Sequence, residues 1–119
     1  MKLVAFINQD TTTYGQISAL INRMEEADQI LIVKDKSTPM PFSSPICRAI
    51  DVDSSKDLLS FKEEIQTSLR PHLKEDFEVA LSLASGNGKE HMALISALLA
   101  IPVGIKLTAF TKKGVEFIS

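Results

Sequence analysis

The sequence predicts an α/β fold: a mostly parallel central sheet of five to six strands, helices on both faces and a C-terminal hairpin. Three observations carry this. Short apolar runs at Leu3–Ile7, Gln29–Val33 and Phe77–Leu83 read as strands buried on both faces. Between them, Ile17, Leu20, Ile21 and Met24, and later Leu58, Phe61, Ile65 and Leu69, recur at helical spacing. Buried strands alternating with amphipathic helices imply parallel pairing through right-handed crossovers.

The elements follow in order. After the first strand, Asn8 to Thr13 form a polar loop with several residues able to cap the first helix. The second strand leads into Asp35–Pro45, where Pro39, Pro41 and Pro45 with serines and threonine read as a loop. Arg48–Val52 is a weak third strand, and Asp53-Ser54 is placed to cap the second helix, which Pro71 ends. The fourth strand runs into Ser85-Gly86-Asn87-Gly88, a tight turn, and then an apolar helix from Lys89 to Ile101, broken by Pro102. Gly104–Phe110 is the fifth strand. Lys112-Lys113-Gly114 turns the chain, and Val115–Ile118 pairs back as a hairpin.

Composition sets bounds on function. The 119 residues fit one domain, residues 1–119, able to bury roughly two-thirds of its unfolded surface. Fifteen acids against thirteen Lys and Arg exclude a generally basic coat, so duplex nucleic acid is not an expected partner. The single Cys47 excludes an internal disulfide and a Cys-rich zinc module. No apolar run approaches the ~18 residues of a membrane span, and Met1–Ile7 lacks the length and cleavage site of a signal peptide. A soluble, cytoplasmic protein without a metal centre is the expectation.

In an open parallel sheet, ligands sit beyond the carboxyl ends of the strands. Two segments occupy that edge: Asn8 to Thr13 and Ser85 to Glu90. The second is the more telling. Gly86 and Gly88 let backbone approach a ligand, and the following helix start offers free N–H groups and a positive dipole end. Lys89 adds a cation, with Ser85 and Asn87 as hydrogen-bonding groups, an arrangement suited to a phosphate. A merely structural glycine turn is the competing reading. The segment is not a P-loop, because Leu83 stands where the first glycine belongs and Glu90 follows the lysine. It is not a dinucleotide fingerprint, because His91 takes the third glycine's place.

Ser85-Gly86-Asn87-Gly88-Lys89, followed by an apolar helix opening with Met92, resembles the second signature of CARF domains, the CRISPR-associated Rossmann-fold domains. The likeness runs from Phe77 to Phe110 and includes Ile101-Pro102-Val103-Gly104; Asn8 to Thr13 resembles the first, less specific signature. The resemblance implies a Rossmann-like homodimer that binds a cyclic oligoadenylate across its two-fold axis, with no cofactor. By position, Ser85, Gly86, Asn87, Gly88 and Lys89 would contact the ligand, and Asn8, Gln9, Asp10 and Thr11 would meet its base or ribose. In a metal-independent ring nuclease, Lys89 would stabilise developing charge and Ser85 would position the reacting group. The alternatives are a non-catalytic sensor acting through an effector protein, and an unrelated small α/β protein that binds a phosphate ligand.

The remaining candidates have plainer readings. His91 reads as a partly exposed helix residue ahead of a general acid or base, and His72 as a solvent-facing loop residue. Cys47 reads as a small buried residue rather than a nucleophile. Tyr14, the one tyrosine, either stacks on a base or covers the helix end. The last helix, with Met92, Leu94, Ile95, Leu98 and Leu99, is apolar on several sides, which suits core filling together with a dimer seam.

Overall fold

The computed structural model describes residues 1–119. The apolar runs become strands β1 (Lys2–Ile7), β2 (Gln29–Asp35), β3 (Cys47–Val52), β4 (Glu78–Ser82), β5 (Gly104–Thr111) and β6 (Gly114–Phe117). The helically spaced segments become α1 (Tyr14–Arg23), α2 (Leu58–Leu73) and α3 (Gly88–Ala100). One six-stranded sheet results, in the order β3-β2-β1-β4-β5-β6. All neighbours are parallel except β5 and β6, which form the expected hairpin. The arrangement is Rossmann-like. The chain moves outward from β1 to β3 and then returns to β4 on the other side of β1, so the strand order reverses between β1 and β4.

Alternation along the strands divides the core into two layers. Val4, Phe6, Leu31, Val33, Val79 and Leu81 face α2 and α3; Leu3, Ala5, Ile7, Ile30, Ile32 and Ala80 face α1. Both faces of β1 are therefore covered, which is why its sequence is an unbroken apolar run rather than an alternating one. On the α2 side, Phe6 and Phe61 meet edge to face with ring centres 6.0 Å apart.

The connection from β2 to β3 is a parallel crossover without a helix. Residues 36–46 serve instead, and Met40, Phe42 and Ile46 pack into the α1-side core where a helix would otherwise lie. Beneath this loop Lys34 is buried and its ammonium meets Asp51 at 2.5 Å.

Several expected boundaries shift. Pro71 does not end α2, which continues to Leu73. Phe61, Ile65, Leu69 and Leu73 form one buried stripe, so packing of the last turn outweighs the missing Pro71 N–H. His72 is accordingly a partly buried helix residue, not a loop residue. Burial, aided by the charges of Arg48 and Lys2, holds its imidazole below the usual range. The cap of α2 is Asp57, whose carboxylate accepts the Ser60 N–H at 2.9 Å, not Asp53-Ser54. Residues 53–56 are needed to carry the chain from the sheet edge to the helix start. Phe77 lies outside β4 and is 96% exposed, because β4 pairs with β1 only from Val79 onward. Cys47 opens β3 partly buried, and burial pushes its thiol up, away from nucleophilic chemistry. No helix is long and apolar enough to cross a membrane.

A candidate binding cleft at the carboxyl edge of the sheet

Each wall of the candidate site is a loop that leaves the carboxyl end of a strand. After β1, Asn8 and Asp10 shape the chain. The Asn8 side-chain oxygen accepts the Asp10 N–H at 2.9 Å, and the Asp10 carboxylate accepts the Thr12 N–H at 3.1 Å and its hydroxyl at 2.6 Å. Those two Thr12 bonds, the hydroxyl first, hold the Asp10 carboxyl below its ordinary range. They also cap the single 3₁₀ turn Thr11–Thr13 that leads into α1. The Tyr14 hydroxyl donates to the Asn8 carbonyl, and its ring packs against Phe42 at 5.9 Å.

After β4, Gly86 turns the chain with φ +102°, a conformation side chains resist. Asn87 then caps α3: its side chain accepts the Glu90 N–H at 2.9 Å while Glu90 accepts the Asn87 N–H at 2.8 Å. The same Glu90 oxygen accepts from the Asn8 side chain at 3.0 Å. Glu90 thus ties the β1 and β4 loops together across the point where the strand order reverses. It also places a carboxylate at the helix end that the sequence marked for an external anion. His91, partly buried in the first turn, sets Nε2 2.7 Å from the Ser85 carbonyl. Ser85 itself is buried, and its hydroxyl has no hydrogen-bond partner.

The far wall comes from β2 and from the segment after β3. One Asp35 oxygen accepts both the N–H and the hydroxyl of Ser54 at 2.8 Å, and the other accepts the Ser37 N–H at 2.9 Å and the Ser37 hydroxyl. These bonds, that of the Ser37 hydroxyl foremost, hold the Asp35 carboxyl far below the usual carboxylate range. Lys89 is tied into the same region. Its ammonium donates to the carbonyls of Ser54 at 3.0 Å and Lys56 at 2.6 Å, and lies 5.5 Å from the centre of the Phe61 ring.

Between these walls lies a cleft of about 330 Å³. Asn8 and Gln9 line it from the β1 loop, Asn87 and Glu90 from the β4 loop, and Asp35, Ser37, Thr38 and Ser54 from the far side. The lining is wholly polar, with two carboxylates and no basic side chain. Chemically it offers acceptors and amide donors, which suit hydroxyls and base edges better than phosphate. No group of three or more His, Cys, Asp or Glu side chains could hold a metal ion.

Of the residues singled out from sequence, Asn8, Gln9 and Asn87 line the cleft, and Gly86 and Gly88 shape the loop beneath it. Asp10 is engaged with Thr12, and Thr11 lines an adjoining cavity. Ser85 and Lys89 are not in the cleft lining. Sequence reasoning missed Asp35, Ser37, Thr38, Ser54 and Glu90. For Glu90 a signal existed, because Asn87-x-x-Glu90 is the spacing of a capping box. Asp35 could have been found from its place at the end of a buried strand.

No protein-family model matches the chain, and no curated protein matches it. Among solved structures the chain is similar to the C-terminal domain of a hydrogenase from Pyrococcus furiosus. The two share 12% identity over 87% of this chain and 88% of that domain, with a TM-score of 0.47. A likeness at this level carries nothing about activity.

Proposed function

We propose that the protein binds a cyclic oligoadenylate at this cleft as a homodimer and acts as a sensor for an effector protein. The observation that carries the reading is the position of the cleft. It straddles β1 and β4, where the strand order reverses, and it is bordered by the Ser85–Lys89 loop that resembles the second CARF signature. Its polar groups match the ribose hydroxyls and base edges of such a ring. This reading puts the site of action in the cytoplasm.

Sensing is favoured over ring cleavage by two placements. The Lys89 ammonium is held by two backbone carbonyls, and the Ser85 hydroxyl is buried. Neither is presented to a ligand in the cleft. Dimerisation is supported by the outer surface of α2 and α3, where Leu58, Leu59, Met92 and Leu99 are all exposed. Leu58, Leu59 and Met92 line one groove, and Leu99 lies two turns beyond Met92 on the same helix face. Four large apolar side chains together in water favour a partner surface. The groove lies at the starts of α2 and α3, the end of each helix nearest the cleft.

The test is calorimetric titration with cyclic tetra-adenylate and cyclic hexa-adenylate without metal, with products followed by chromatography. Binding without cleavage, retained in Lys89→Ala, supports the sensor. Cleavage that disappears in Lys89→Ala supports the ring nuclease instead. No binding of either ring overturns both.

A further inference from the structure

Beside the cleft lies a second cavity of about 250 Å³. Gln9 and Thr38 line both, so the two spaces adjoin. Their chemistry differs. The cleft is lined only by amides, hydroxyls and carboxylates, whereas the side cavity is walled by the rings of Tyr14, Pro39 and Pro41, with Thr11 at its edge. No charged side chain lines it.

The walls are held in advance. Tyr14 is fixed by its packing on Phe42 and by its hydroxyl bond to the Asn8 carbonyl. The proline loop is anchored by Met40 and Phe42, which pack into the core under it. Proline removes further backbone freedom. A rigid site of this kind loses little entropy on binding. Sites for drug-sized ligands run to about 300–1,000 Å³, so this cavity suits one ring system rather than a whole nucleotide.

The geometry points to a nucleobase subsite: the base enters the Tyr14–Pro39–Pro41 cavity while its ribose occupies the polar cleft. This rests on the nucleotide reading above and adds to it where the base goes and what selects it. Tyr14 and the prolines supply flat apolar contact to a ring face. Gln9 stands at the junction, and its amide carries one donor group and one acceptor, the pairing that an adenine edge requires.

The chain has one tyrosine and no tryptophan, so its intrinsic emission reports this cavity alone. The experiment titrates the wild-type chain with adenosine and with cyclic tetra-adenylate, following tyrosine emission and, separately, heat. The expected result is a change in Tyr14 emission that saturates with the calorimetric isotherm. Thr11→Trp fills the cavity from an exposed position and is expected to weaken adenosine binding about tenfold or more. Pro41→Trp, also exposed, provides a second blocked variant, and thermal melts confirm that both are folded. Calorimetric binding with unchanged tyrosine emission, and with both tryptophan variants within about twofold of wild type, overturns the subsite and leaves the nucleotide reading standing. Absence of heat with either adenylate overturns the nucleotide reading and the subsite with it.

Discussion

Glu90→Ala is expected to destabilise the protein more than any other single change at the cleft. One Glu90 oxygen accepts from Asn87 N–H at 2.8 Å and from the Asn8 amide at 3.0 Å, and the residue is 7% exposed. Hydrogen bonds to a charged acceptor contribute about 1.5–3 kcal/mol each. A carboxylate at a helix start adds about 0.3–1 kcal/mol. The desolvation of the carboxylate opposes these gains, which brings the expected loss to about 2–4 kcal/mol. Glu90→Gln keeps an oxygen in place and removes only the charge, so its expected cost is about 1 kcal/mol. The assay is urea unfolding followed by far-ultraviolet circular dichroism at pH 7. A double-mutant cycle with Asn8→Ala should show a coupling of at least about 0.5 kcal/mol. A loss below about 1 kcal/mol for Glu90→Ala, or equal losses for Ala and Gln, would refute the claim that Glu90 bridges the two loops as a carboxylate.

Asp35 has a folded pKa held below its ordinary value of 3.8, so its stabilisation is present above that value and is lost as pH falls toward the folded one. Asp35→Asn should therefore cost about 1 kcal/mol at pH 7, after allowance for solvent screening, and the two proteins should converge in melts below about pH 2. Gly86→Ala forces a side chain into the left-handed region with its Cβ 3.0 Å from His91 Nε2, and a loss of about 1–2 kcal/mol is expected. Gly88→Ala, where a Cβ meets nothing within 4 Å, is the control and should stay within about 0.5 kcal/mol in the same melts. Met92→Glu and Leu99→Glu, at side chains 57% and 70% exposed, should leave the melting temperature nearly unchanged and convert a dimer to monomer in sedimentation. An unaltered sedimentation coefficient would remove that face from the interface.

Local patterns in the sequence determined the strands and helices of this protein. β1, β2 and β4 are legible because a strand buried on both faces must be apolar throughout, and α1 and α2 because one apolar stripe recurs every three to four residues. The glycine turn at Gly86 was equally legible, since a positive φ favours glycine. Tertiary structure decided what the polar side chains do. Lys89 reads as a free cation beside a helix start, yet its ammonium reaches carbonyls at Ser54 and Lys56, more than thirty residues earlier. Glu90 reads as a surface acid, yet it joins Asn8 from the opposite end of the chain. Even Pro71 yields to the packing of Leu73. The physical reason is range. Apolar periodicity is a property of neighbouring residues, whereas a buried donor or acceptor takes whichever partner the fold brings within about 3 Å, however distant in sequence.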